Sequence, residues 1–337
     1  MEMTPEKIGV VGAGSWGTAL ARLLSNKNHK VQLWAHRRSH AEEITLYREN
    51  RTYLPGFSIG KNLSISSDLT EVVRDKRFLV LAVPSHYFRS VFQGIVPGLT
   101  ADKILVSAVK GIEEEYLMTM SQVMTEEMAA GGKASGIVVL TGPSFAREVA
   151  AEIPTAVTVA SKNMESAQAV QELFGTTYFR LYRSSDLVGQ ELGAALKNII
   201  AIATGISDGL GYGTNTRAAL ITRGLAEISR LGVKMGADPL TFSGLGGLGD
   251  LVLTCTGDLS RNRTVGLRLG QGKKLTDILK EMEMVAEGIN TTKSAYKLAL
   301  RQHVEMPILE QVYKILYEDR SCQDAVISLM TREQKEE

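Results

Sequence analysis

Up to about residue 185, short apolar runs alternate with stretches of helical periodicity. The runs occupy residues 8–11, 31–34, 78–83, 104–108, 137–140, 155–159 and 178–182. Most are continuous rather than alternating, as expected of strands covered on both faces. Several stop at a residue suited to a sharp turn: Pro84, Gly111 and Gly142-Pro143. The pattern predicts a doubly wound α/β sheet, in which ligands sit beyond the carboxyl ends of the strands. From about Asp186 the pattern changes. Residues 188–208, 216–233, 287–303 and 307–319 carry apolar positions at helical spacing, and no strand-like run follows. The expected organisation is an N-terminal Rossmann-like domain over 1–190 and an all-helical domain over 191–337. The polar residues 331–337 are expected to fray.

The first apolar run feeds directly into Gly12-Ala13-Gly14-Ser15-Trp16-Gly17. A bare glycine triplet is a weak signal, but here a strand precedes it, a helix follows, and the next strand arrives at the spacing of a βαβ unit. Gly12 allows the tight turn, Gly14 lets backbone approach a pyrophosphate, and Gly17 lets the helix pack close to the sheet, its positive end facing the phosphates. A ribose 2′-hydroxyl is usually held by an acidic residue about 20 positions further on. Between Lys7 and Ala41 there is none, and the second strand runs instead into His36-Arg37-Arg38. A guanidinium there suits a 2′-phosphate and adenine stacking. NADP is therefore the expected preference, with NAD the second candidate. The competing reading is a pair of solvated surface arginines.

Composition bounds the partners. Of 337 residues, 38 are Lys or Arg and 37 Asp or Glu, for a net charge of +1. That balance argues against a general nucleic-acid or membrane surface. No apolar stretch approaches the length of a membrane span. Cys255 and Cys322 show neither paired nor metal-type spacing, and the five histidines are scattered, so neither a disulfide framework nor a metal is expected. With the first strand starting almost at the N-terminus, the expected location is cytoplasmic.

Three short segments after successive strands are expected to converge at one end of the cleft: Val83-Pro84-Ser85, Val109-Lys110-Gly111 and residues 141–146. Lys110, just beyond a buried strand, is placed to hold an anion. Lys197 lies inside an otherwise small and apolar helix beside Asn198. Burial lowers a lysine pKa towards the range useful for acid–base work. A snorkelling lysine on a half-buried face fits equally well. Gly244 to Asp250 reads as a second glycine-rich turn ending in a carboxylate. Ser260-Arg261-Asn262-Arg263 opens a helix with the donors a phosphate would want, although Ser260 and Arg263 also fit an N-cap with a surface arginine.

With those segments in view, the chain resembles the bacterial NAD(P)-dependent glycerol-3-phosphate dehydrogenases. The matching segments are GAGSWGTALA (12–21), WAHRR (34–38), AVPSH (82–86), KGIE (110–113), GPSFARE (142–148) and ELGAALKNIIAIATGISDGL (191–210). GLGGLGDLVLTC (244–255), SRNRTVG (260–266) and AEGINTT (286–292) complete the set. The resemblance implies that Lys197 gives and takes the proton at the substrate oxygen and that Lys110 contacts substrate and cofactor. It places Gly142, Ser144, Asp250, Ser260, Arg261 and Asn262 at substrate-contact positions. Ser15, Trp16, His36, Arg37, Ala146, Val285 and Glu287 fall at cofactor-contact positions, with Arg261 near both ligands. The implied reaction is reduction of dihydroxyacetone phosphate to sn-glycerol 3-phosphate, a phospholipid precursor, in a homodimer. Two alternatives stay open: another β-hydroxyacid-type dehydrogenase of the same architecture, and a non-catalytic dinucleotide sensor.

Overall fold

The computed structural model describes residues 4–282, 284, 286–334 and 336. Its strands are β1 (Lys7–Val11), β2 (Lys30–Trp34), β3 (Leu63–Ser66), β4 (Phe78–Leu81), β5 (Ile104–Ser107), β6 (Gly136–Thr141), β7 (Thr155–Ala160) and β8 (Phe179–Ser184). They form one eight-stranded sheet in the order β3-β2-β1-β4-β5-β6-β7-β8. In register, Ile8 faces Val31 on one side and Phe78 on the other. The continuous apolar runs have a direct cause. In β4, Phe78 and Val80 enter the core on one face of the sheet, while Leu79 and Leu81 enter the core on the other.

Around the sheet lie α1 (Ser15–Asn26), α2 (Arg38–Tyr47), α3 (Leu69–Val73), α4 (Phe88–Ile95), α5 (Met120–Ala130), α6 (Ala146–Ala150) and α7 (Met164–Phe174). Two features depart from the sequence expectation. The edge strand β3 was not among the expected runs, because Leu-Ser-Ile-Ser alternates, with Leu63 buried and Ile65 only partly so. And β7 runs antiparallel to β6, pairing Leu140 with Val159. The short α6 between them packs on α1 instead of crossing the sheet, so the chain returns in the opposite sense.

After β8 the chain is helical: α8 (Leu187–Gly209), α9 (Thr214–Lys234), α10 (Asp250–Thr256), α11 (Arg261–Gly270), α12 (Leu275–Lys280), α13 (Glu287–Gln302), α14 (Pro307–Tyr317) and α15 (Cys322–Met330). Asp186 caps α8 by accepting from the Gly189 N–H. Helix α8 is buried along nearly its whole length, which is why it is mostly apolar, and α9, α10, α11 and α13 pack around it. The approach of α11 is closest. A Cβ at Gly266 would stand 2.0 Å from the Ile202 carbonyl oxygen, and one at Gly205 2.1 Å from that of Arg263. Backbone contact there brings the start of α11 against the middle of α8. The Gly244–Asp250 segment is not the turn expected from sequence. Leu245–Gly249 forms a wide helical turn that runs straight into α10, the kind of π-type turn often found at functional sites. Glu191 of α8 accepts from both the backbone N–H (2.8 Å) and the hydroxyl of Ser121, tying α8 to the first turn of α5. Among the described residues, no helix is long and apolar enough to cross a membrane.

Candidate active site

The glycine loop has the geometry that a dinucleotide needs. Gly12 sits at φ +117°, a conformation that disfavours a side chain, and a Cβ there would also press on the Ala82 carbonyl. A Cβ on Gly17 would lie 1.9 Å from the Gly12 carbonyl oxygen. At Gly14, by contrast, an added Cβ would meet nothing within 4 Å. Gly14 is also the N-cap of α1 and supplies no side-chain cap. The positive end of α1 thus opens onto free space, a cradle that fits a pyrophosphate. Ser15 donates to the Met284 sulfur at 3.3 Å, which brings Met284 to the loop. The Trp16 side chain packs against the apolar cluster of Ala19, Leu54 and Ala150. At the end of β2, His36 and Arg37 are both exposed. The His36 ring lies edge-on to Trp34, and Arg38 is tied to Glu42 at 2.8 Å. Glu287 opens α13 and accepts from the Ser85 hydroxyl at 2.6 Å. Burial raises its pKa, against the pull of Ser85, His86 and Arg261. Val285 lies outside the described residues.

The lysines meet at a carboxylate. Asp250, the first residue of α10, is fully buried. One oxygen accepts from Lys197 Nζ; the other accepts from Lys110 Nζ at 2.9 Å. Of the two sequence readings of Lys197, the structure selects the buried one: the residue is 5% exposed and paired. Burial lowers its pKa to about 7; the Asp250 charge opposes that shift and the nearby Lys110 ammonium adds to it. Lys197 also donates to the Thr254 hydroxyl oxygen at 2.8 Å, while that hydroxyl donates to the Asp250 carbonyl at 2.6 Å. Thr254 was not singled out from sequence, although its i, i+4 spacing from Asp250 on a helix was a usable signal. Lys110 further donates to the Gly142 carbonyl at 3.2 Å, an oxygen that also accepts from Ser144 at 2.9 Å. Lys110, Gly142, Ser144, Lys197 and Asp250 therefore form one cluster.

The 260–263 group divides. Ser260 is buried and caps α11 through the Arg263 N–H. Arg263 is held by Asp208 and Asp258, at 2.9 and 3.0 Å, so its role is in the fold. Asn262 donates to Asn198 Oδ1 and accepts from the Gly288 N–H, both at 2.9 Å, which joins the starts of α11 and α13 to α8. Arg261, an exposed residue, takes the first position of α11. Partial desolvation lowers its pKa and the Glu287 charge opposes the shift. Among the described residues, no group of His, Cys, Asp and Glu is arranged to hold a metal ion.

Comparison with known proteins agrees over nearly the whole chain. Residues 7–167 match the family described as NAD-dependent glycerol-3-phosphate dehydrogenase N-terminus, and residues 186–327 match its C-terminus. The chain belongs to the NAD-dependent glycerol-3-phosphate dehydrogenase family. It is similar to the glycerol-3-phosphate dehydrogenase [NAD(P)+] of Syntrophotalea carbinolica, at 58% identity over 98% of this chain and 99% of the relative. That of Citrifermentans bemidjiense is 55% identical over the same shares of each. A crystal structure of glycerol-3-phosphate dehydrogenase from Coxiella burnetii superposes with a TM-score of 0.94 at 40% identity, covering 97% of this chain and 99% of that one.

Proposed function

We propose that this family member reversibly reduces dihydroxyacetone phosphate to sn-glycerol 3-phosphate, with NADPH preferred over NADH, and so supplies a precursor of phospholipids. The observation that carries the reading is the buried Lys197, its pKa near neutrality, held against Asp250 beside a second lysine. A general acid works best when its pKa lies near the operating pH. When bound, the reduced nicotinamide supplies the hydride that the carbonyl carbon accepts. Lys197 holds the proton at Nζ, stabilises the negative charge growing on the carbonyl oxygen and delivers the proton to it, so that ketone, hydride and proton balance as the alcohol. Asp250 and Thr254 hold the Lys197 ammonium in place. Lys110, Gly142 and Ser144 line the substrate side, and Arg261 with Ser260 and Asn262 takes the phosphate, fixing the carbonyl by its far end. Gly12, Gly14, Gly17, Ser15 and the backbone of Trp16 cradle the pyrophosphate end, with Ala146, Glu287 and Lys110 along the cofactor. His36 and Arg37 face the 2′-phosphate. Residues 1–190 serve the cofactor and 191–337 the substrate.

A homodimer in the cytoplasm goes with this reading; the free thiols Cys255 and Cys322 support a reducing compartment. The test is loss of the NADPH absorbance band on addition of dihydroxyacetone phosphate. Turnover on a 2-oxo acid in its place would assign the chain to another hydroxyacid-type activity. Tight NADPH binding with no turnover on either would make it a sensor.

A further inference from the structure

Asn50 belongs to none of the motifs above, yet it is completely buried and fully bonded. Its side-chain nitrogen donates to the Ala13 carbonyl at 2.9 Å and to Thr18 Oγ1 at 2.8 Å. Its side-chain oxygen accepts from the Tyr53 N–H at 3.1 Å and from His40 Nε2 at 3.2 Å. The orientation of this amide follows from chemistry. A carbonyl only accepts and a backbone N–H only donates, so Ala13 and Tyr53 fix which end is nitrogen. The oxygen can only accept, which puts the hydrogen of His40 on Nε2.

We propose that Asn50 is a positioning residue for the cofactor's pyrophosphate and that it couples the glycine loop to the adenosine end of the site. Ala13 lies between Gly12 and Gly14, and its peptide to Gly14 is trans. In a trans peptide the C=O and N–H point in opposite directions. Asn50 holds the carbonyl inward, which turns the Gly14 N–H outward, on the residue whose missing Cβ leaves open space. Thr18, the other acceptor, lies one turn further along α1 and bonds back to Gly14 through its own N–H. On the far side, the His40 N–H bonds the carbonyl of Arg37 at 3.1 Å, and His40 packs edge-on against Tyr53. One amide therefore spans from the segment facing the 2′-phosphate to the loop facing the pyrophosphate. Leucine would fill the volume but strand the Ala13 carbonyl. Aspartate would set a carboxylate oxygen against it.

The inference rests on the dehydrogenase reading, and the experiment separates the two. Binding of NADPH and NADH is measured by fluorescence titration, together with steady-state kinetics and circular dichroism, for Asn50→Ala and Asn50→Asp. The pyrophosphate is common to both cofactors, so both dissociation constants should rise, by about 10-fold where the Ala13 carbonyl loses its donor and is orphaned. At saturating cofactor, kcat and the KM for dihydroxyacetone phosphate should stay within about 2-fold of the parent, whereas a merely structural role would degrade these too. Where Asn50→Ala does not fold, His40→Leu against His40→Gln decides: leucine removes the donor to Asn50 and should weaken both cofactors, and glutamine should restore them. Folded variants that bind both cofactors as the parent does, or that lose NADPH alone, overturn the inference. A parent protein that binds neither cofactor overturns the dehydrogenase reading and this inference with it.

Discussion

Replacing Asp250 by asparagine removes one negative charge and almost no volume from between two ammonium groups. Asp250 is fully buried and takes Lys197 on one oxygen and Lys110 on the other. An opposite charge at such range is worth roughly 1–3 pKa units to the cation. Lys197 starts from about 7, and both remaining influences, burial and Lys110, push it down. The variant lysine should therefore titrate at roughly pH 4–6. Reduction of the ketone requires the protonated form, so its rate falls as pH rises through this pKa. At about pH 7.5 a lysine of pKa 7 is still about one quarter protonated, and one of pKa 5 is about 0.3% protonated. The rate of reduction should fall by roughly 10- to several-hundred-fold there, less whatever the stronger acid regains in proton transfer.

The assay is the pH profile of kcat/KM for dihydroxyacetone phosphate reduction at saturating NADPH. In the parent the profile should bend downward near pH 7. In Asp250→Asn the bend should move acid by at least one unit, so that the deficit shrinks as pH is lowered towards 5.5. Loss of fold is a separate outcome, read by thermal unfolding at the same pH values. It is limited because Lys197 can shed its proton instead of remaining stranded as a charge. An unchanged bend with a raised KM would refute the argument: Asp250 would then serve a substrate hydroxyl and not the lysine.

Three further substitutions test the rest of the site. Lys197→Ala should leave NADPH binding near the parent value and lower turnover by about 10²–10⁴-fold; rates within a few-fold of the parent would remove Lys197 as the proton donor. Arg37→Ala should weaken NADPH binding by roughly 1–3 kcal/mol and leave NADH unchanged, since only NADPH carries the charged 2′-phosphate; equal losses by titration would sink that assignment. Arg261→Ala should sharply reduce activity on dihydroxyacetone phosphate and change the poor activity on dihydroxyacetone far less, because remote binding energy is spent on orienting the carbonyl. NADPH affinity is measured alongside, and equal losses on the two substrates would move the phosphate site elsewhere.

Local chemistry was legible in the chain, and distance was not. The glycine loop could be read because strand, turn and helix are contiguous over residues 7–26. Lys197 stood out because an ammonium among Leu, Ile and Ala is costly wherever the helix packs. Yet the choice between a paired and a snorkelling lysine depended on a partner 53 residues away, and the Lys110 contact spans 140. No periodicity carries that information. The same limit explains Arg263, whose neighbours in sequence suggest a phosphate site and whose neighbours in space are Asp208 and Asp258. It explains β7, whose apolar run specifies a strand but not its direction, and Asn50, an ordinary loop residue until Ala13 is seen above it.

What the fold adds is therefore the carboxylate between the lysines, and its position has a physical reason. Without it, burial and the nearby Lys110 would both push the Lys197 pKa down, with no opposing charge beside the ammonium. A single fully buried carboxylate changes this unequally. Lys110 remains partly exposed and is solvated as well as paired, whereas Lys197 is almost sealed. Desolvation therefore acts on Lys197 with full force, and the Asp250 charge returns only part of it. Under the proposed function this makes Lys197 the proton carrier near neutrality, with Lys110 beside it on the side of the anionic substrate. The difference arises from how deeply each side chain is buried around the same aspartate, not from any difference between two identical residue types.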